Sequence, residues 1–139
     1  MNYKILAVAL TTTLSLTMLT AVADDKPDAS KLPPPSTAKG VTYDKDIKPI
    51  LEASCVKCHH GDKAKGRIHL DSLEGVLKGG KEGPILKAGK SAESQMVFSV
   101  AHVGDEDDFM PPPKAKSKLD PLTPEQVGLI RAWIDQGAK

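Results

Sequence analysis

"CVKCHH", residues 55–60, holds the only two cysteines of this 139-residue chain. The thiols stand three positions apart and two imidazoles follow at once. Side chains at i and i+3 lie on the same side of a helical turn, so Cys55 and Cys58 can present both sulfurs in one direction, with His59 beside them. That order suits thioether bonds to the two vinyl groups at one edge of a porphyrin, with the next imidazole on the iron. Cys55, Cys58 and His59 therefore read as a haem c attachment site. A disulfide between cysteines so close would close a small strained loop and add little stability. A thioredoxin-like dithiol needs a βαβ setting, which the sequence lacks. A zinc site would need both thiolates and two of His59, His60, His69 and His102, but there is neither a second Cys pair nor a His-x₃₋₅-His run.

The context upstream fits an exported protein. Lys4 precedes an apolar and hydroxyl-rich run over residues 5–23, closed by Ala21 and Ala23 before the first acids, Asp24 and Asp25. This is the form of a secretory signal peptide, residues 1–23. The run approaches bilayer-spanning length, but five threonines and a serine dilute it, and no cysteine stands at the cleavage site to carry a lipid. The expected product is periplasmic or otherwise exported, and not an integral membrane protein. Its basic and acidic residues balance once Lys4 is removed, which gives no footprint for nucleic acid.

Residues 24–40, with four prolines and few apolar side chains, read as a flexible leader. The remainder, 41–139, reads as one all-α domain of short helices divided by glycine and proline. Ile47, Ile50 and Leu51 recur at helical spacing, with Asp46 as cap and Pro49 in the first turn, in a helix leading into Cys55. Asp71 and Glu74 mark the start of a second helix that stops at Gly79. Ser91 caps a third, which carries Met96, Val97 and Val100 and ends at Gly104. Thr123, Pro124 and Gln126 form a capping box for the last, with Val127, Ile130, Trp133 and Ile134 on one face and Gly137 at the end. Phe98 and Trp133 are the aromatics expected in the core. A core so poor in rings would gain from a large apolar cofactor.

The other side of the iron decides the function, because two protein ligands leave a centre that only passes electrons. Met96, Met110, His60, His69 and His102 are the candidates. His60 adjoins the proximal residue and cannot reach the far face. Met96 has the spacing of a core residue, and His69 and His102 read as surface residues. Met110 stands 51 positions after His59, in "FMPPP", where three prolines stiffen the strap that carries it. Met/His ligation raises the potential above that of a bis-histidine centre.

Taken in order, "YDKDIKPILEASCVKCH", "KGRIHLDS", "LKGGKEGPILKAGKSAES", "FMPPP" and "LTPEQVGLIRAWIDQGA" resemble the planctomycete-type cytochrome c domain over Val41 to Ala138. The resemblance implies a small helical haem fold whose first and last helices cross near the porphyrin. Haem would be carried by Cys55 and Cys58, with His59 proximal and Met110 distal. It departs from the family in reading His59-His60-Gly61 where His-Gly is usual, and in a longer continuation of the proline loop. The implied activity is single-electron transfer between redox protein partners. An open sixth site for gas sensing or peroxide chemistry is the alternative. Lys57, Lys63, Lys65 and Arg67 on one side, and Lys114, Lys116 and Lys118 on the other, can flank the haem edge. Asp105 to Asp108 form an acidic run, and such asymmetry steers partners.

Overall fold

The computed structural model describes residues 26–114 and 119–139. The expected signal peptide, Lys116 and Lys118 lie outside the described residues. Four α-helices appear, with no strand among the described residues: α1 (Lys48–Ser54), α2 (Leu73–Lys78), α3 (Gln95–Ala101) and α4 (Pro124–Asp135). No helix among them is long and apolar enough to cross a membrane.

The longest helix, α4, is built as its sequence dictates. The Thr123 hydroxyl accepts from the Gln126 amide, the Gln126 side chain accepts from the Thr123 amide, and Pro124 opens the helix where its missing N–H costs nothing. Its inner face, Val127, Ile130, Trp133 and Ile134, is fully buried. The Trp133 indole N–H donates to the Lys139 carbonyl at 2.9 Å. Its ring packs against that of Tyr43, centroids 6.0 Å apart. Tyr43 is a core aromatic that periodicity did not single out; its hydroxyl donates to the Leu70 carbonyl at 2.9 Å, so the buried phenol is paired.

The other helices begin at neighbours of the expected caps. A wide turn over Tyr43–Ile47, closed by the Lys48 amide on the Tyr43 carbonyl, precedes α1. Asp46 sits within that turn, and its carboxylate reaches back to the Thr42 amide at 2.9 Å. Ser72, rather than Asp71, caps α2 through the Gly75 amide at 3.1 Å. Ser91 starts a short 3-10 turn ahead of α3 and does not cap it. Its amide and hydroxyl both donate to Asp135, at 2.8 and 2.9 Å, and so tie α3 to the end of α4. α3 closes at His102, in the left-handed conformation, two residues before Gly104.

The flexible leader is the reading the structure corrects. Residues 26–40 lie across α4: the Ser36 amide donates to the Gly128 carbonyl at 2.8 Å, and Gln136 donates to the Ala38 carbonyl at 2.9 Å. The Arg131 guanidinium reaches the Pro33 carbonyl, and Leu32 is buried. Composition missed this because the segment is held through its own carbonyls and amides, which every sequence has. Gly128 makes the approach possible, since a Cβ there would stand 2.8 Å from the Pro34 carbonyl oxygen. In an open helix, Gly128→Ala would gain about 1 kcal/mol from propensity. Here overpacking against backbone costs about 1–3 kcal/mol. The substitution should therefore lower the thermal midpoint, and a rise would show that the leader does not bear on α4.

Candidate functional site

The attachment motif is an extension of α1. The Cys55 and Val56 amides both donate to the Leu51 carbonyl, at 2.7 and 2.9 Å. The Cys58 and His59 amides then donate to the Cys55 carbonyl, each at 3.1 Å. Thiols and imidazole are thus fixed by successive turns that start from a helix buried through Ile47 and Leu51. The loop that follows folds back on the motif, with the Lys65 amide on the Cys58 carbonyl at 3.0 Å and the Leu70 amide on the His59 carbonyl at 2.8 Å.

His59 is buried, 8% exposed, and its Nδ1 lies 3.1 Å from the Lys65 carbonyl oxygen. A carbonyl only accepts, so Nδ1 carries the proton and the Nε2 lone pair is left for a metal. Burial lowers the His59 pKa and outweighs the opposing pull of the Lys65 and Ile68 backbone. The net direction favours the neutral imidazole, the form that ligates iron.

Cys55 and Cys58 are free thiols. Burial, and then the neighbouring Cys58, push the Cys55 thiol up to about 11. Redox and zinc-binding cysteines need the opposite, a thiolate stabilised at neutral pH. Among the described residues no three His, Cys, Asp or Glu side chains gather to hold a bare metal ion. A neutral thioether, by contrast, loses nothing by being buried here.

These residues border a cavity of about 880 Å³, within the roughly 300–1,000 Å³ of organic cofactor sites. Cys55, Cys58 and His59 line it, with Met96, Ser99 and Val100 of α3, Met110 and Pro111 of the strap, and Ile68, Leu70 and Ile85 from the intervening loops. Two loops are drawn together at Gly80, where a Cβ would meet the Gly66 carbonyl oxygen and Ile68 Cγ1, each at 2.6 Å. Gly79 is the helix stop that the sequence predicts; what Gly80 adds is the close approach of two walls.

Among the candidate sixth ligands, both methionines line the cavity. Met96 is buried on α3, its amide bound to the Ile85 carbonyl at 2.8 Å. Met110 is half-buried on the strap, its amide donating to the Ser99 carbonyl at 3.0 Å, and the adjacent Pro111 is buried. His69 and His102 do not line it. His60 is exposed and borders a separate recess with Lys57, Cys58, Asp62, Lys63 and Lys65. The structure thus brings Cys55, Cys58, His59 and Met110 to one cavity. Lys57, Lys63 and Lys65 surround the outer side of Cys58, whereas Lys114 pairs with Glu106 at 3.2 Å.

The donors fit haem c: two thiols that can become neutral thioethers, an imidazole with Nε2 open, a methionine thioether, and an apolar lining. Residues 55–114 match the family model of Planctomycete cytochrome C, the family the motifs resemble. A cytochrome c domain implies haem c. No curated protein and no solved structure matches the chain.

Proposed function

We propose that the chain is an exported monohaem c-type cytochrome that carries single electrons between protein partners, with haem c bonded to Cys55 and Cys58, His59 as proximal ligand and Met110 as distal ligand. The observation that carries this reading is the His59 imidazole, fixed through Nδ1 on the Lys65 carbonyl, in one cavity with both thiols and Met110. Haem supplies an iron that changes charge by one. The chain's own groups do the rest. The Lys65 carbonyl orients the imidazole and raises its basicity. The Ser99 carbonyl holds the backbone of Met110. Ile68, Leu70, Ile85 and Val100, which line the cavity, would keep water from the ring. With both axial positions held by protein, no place remains for a substrate, so the chain is a carrier rather than an enzyme.

Lys57, Lys63 and Lys65, beside Cys58 with Asp62 as the only acid in that recess, suit a partner with an acidic face. One holoprotein preparation tests both parts. The reduced spectrum should be low-spin, the oxidised form should carry the weak sulfur-to-iron band, and the reduced protein should refuse carbon monoxide. Exchange with an anionic mediator should outpace exchange with a cationic one of equal potential, and salt should narrow the gap. A high-spin iron that binds carbon monoxide at once would instead assign the open-site chemistry.

A further inference from the structure

His102 closes α3 with φ 53°, in the left-handed region. Helices usually take glycine in that conformation, which costs a side chain strain. Its ring lies parallel to that of Phe109, centroids 4.6 Å apart and planes within 10°. Its Nε2 is buried with no hydrogen-bond partner, a cost that glycine would also avoid. Its amide closes the helix on the Phe98 and Ser99 carbonyls, as any residue's would; the contact that only its side chain makes is the stack on Phe109.

Phe109 immediately precedes Met110. The strap is tied back to α3 through three successive residues: the Met110 amide on the Ser99 carbonyl at 3.0 Å, the Phe109 ring on His102, and the Gln95 side-chain amide on the exposed Asp108 carboxylate at 3.3 Å. The first bond fixes one end of the Met110 backbone unit, and the stack fixes the residue before it. Together they set where the Met110 side chain starts.

We propose that His102 is a positioning residue for the sixth ligand, stacking on Phe109 to clamp the strap so that the Met110 thioether is held at the cavity. The inference rests on the Met110 ligation proposed above. A methionine–iron bond is weak and competes with external ligands, so a looser strap would be read as easier displacement.

Three variants of the holoprotein, read by the sulfur-to-iron band and by imidazole titration of the oxidised form, test it. His102→Gly relieves the backbone strain but removes the ring. The band should weaken and imidazole should bind about threefold to tenfold more tightly, the worth of an aromatic pair, without a fall in thermal midpoint. His102→Phe keeps a ring to stack and removes the unpaired nitrogen, so its band and imidazole affinity should stay near those of the parent. A helix-terminating role alone predicts the reverse order, with glycine the better residue by every readout, and that result would overturn the clamp. Equal loss of the band in both variants would overturn it too, because the ring would not then be what matters. Met110→Ala is the third variant: if its spectrum equals the parent's, the ligation itself fails and the clamp falls with it. If Met110→Ala loses the band and His102→Gly does not, only the clamp fails.

Discussion

With Cys55 and Cys58 both replaced by serine, the chain made in a haem-attaching host should carry no covalent haem, and should lack a cooperative fold. The reason is the space those sulfurs border. An apolar wall left to water forfeits about 25 cal/mol per Å² of burial. The walls of this cavity, Leu70, Met96 and Val100 with Ile68 and Ile85 packed against them, are shared with the core, and a domain of this kind is typically held by only about 5–15 kcal/mol. The aromatic core cannot make up the difference: of the described residues only Tyr43, Phe98 and Trp133 contribute buried rings. On this reading haem would be a structural part of the core as well as the redox centre. Mass spectrometry should give the bare polypeptide mass. Far-UV circular dichroism should show reduced helix and a broad melt. A sharp transition with parental helix content would show that α4, α1 and Tyr43 close a core without it. The same measurement on Cys58→Ser, which leaves Cys55 to hold one edge, should fall between the two.

What the sequence made legible follows from how local each signal is. Cys55, Cys58 and His59 are readable because their chemistry depends on spacing inside one turn, and α4 because its capping box and apolar stripe lie within fifteen positions of each other. The caps at Asp46, Asp71 and Ser91 shifted because several neighbouring side chains can accept the same amide, and packing chooses among them: Ser91 is drawn to Asp135, 44 positions away. The leader was misread for a related reason. Its contacts with Gly128, Arg131 and Gln136 run through backbone carbonyls and amides, which composition does not record. Gly128 itself was the available signal, a glycine in the middle of an otherwise strong helix. Tyr43 escaped notice because it lies ahead of the helical repeat, in a turn wider than the 3.6 period used to find it. His102 was read as a surface residue, whereas its ring is half-buried on Phe109 with Nε2 enclosed; that burial and its left-handed backbone depend on the strap folding back.

Met110→Ala should abolish the sulfur-to-iron band, open the reduced iron to carbon monoxide and lower the reduction potential, with little effect on stability. The direction of the potential follows from the loss of a thioether that favours ferrous iron, and axial ligands together command a range of about 0.8 V. Stability should hold because Met110 is half-buried and its tie to Ser99 runs through its amide, which alanine keeps. The rival is Met96, the other thioether at the cavity. It is 6% exposed, on a helix whose neighbours Val97 and Val100 are core residues, so its side chain is committed to packing as much as to the cavity. Met96→Leu conserves volume and should cost under about 1.5 kcal/mol, with band and potential unchanged. If Met96→Leu removes the band while Met110→Ala retains it, the iron is ligated from α3. The strap would then be a lid over the ring edge, and the polyproline run beside Met110 would serve to exclude water instead of presenting sulfur.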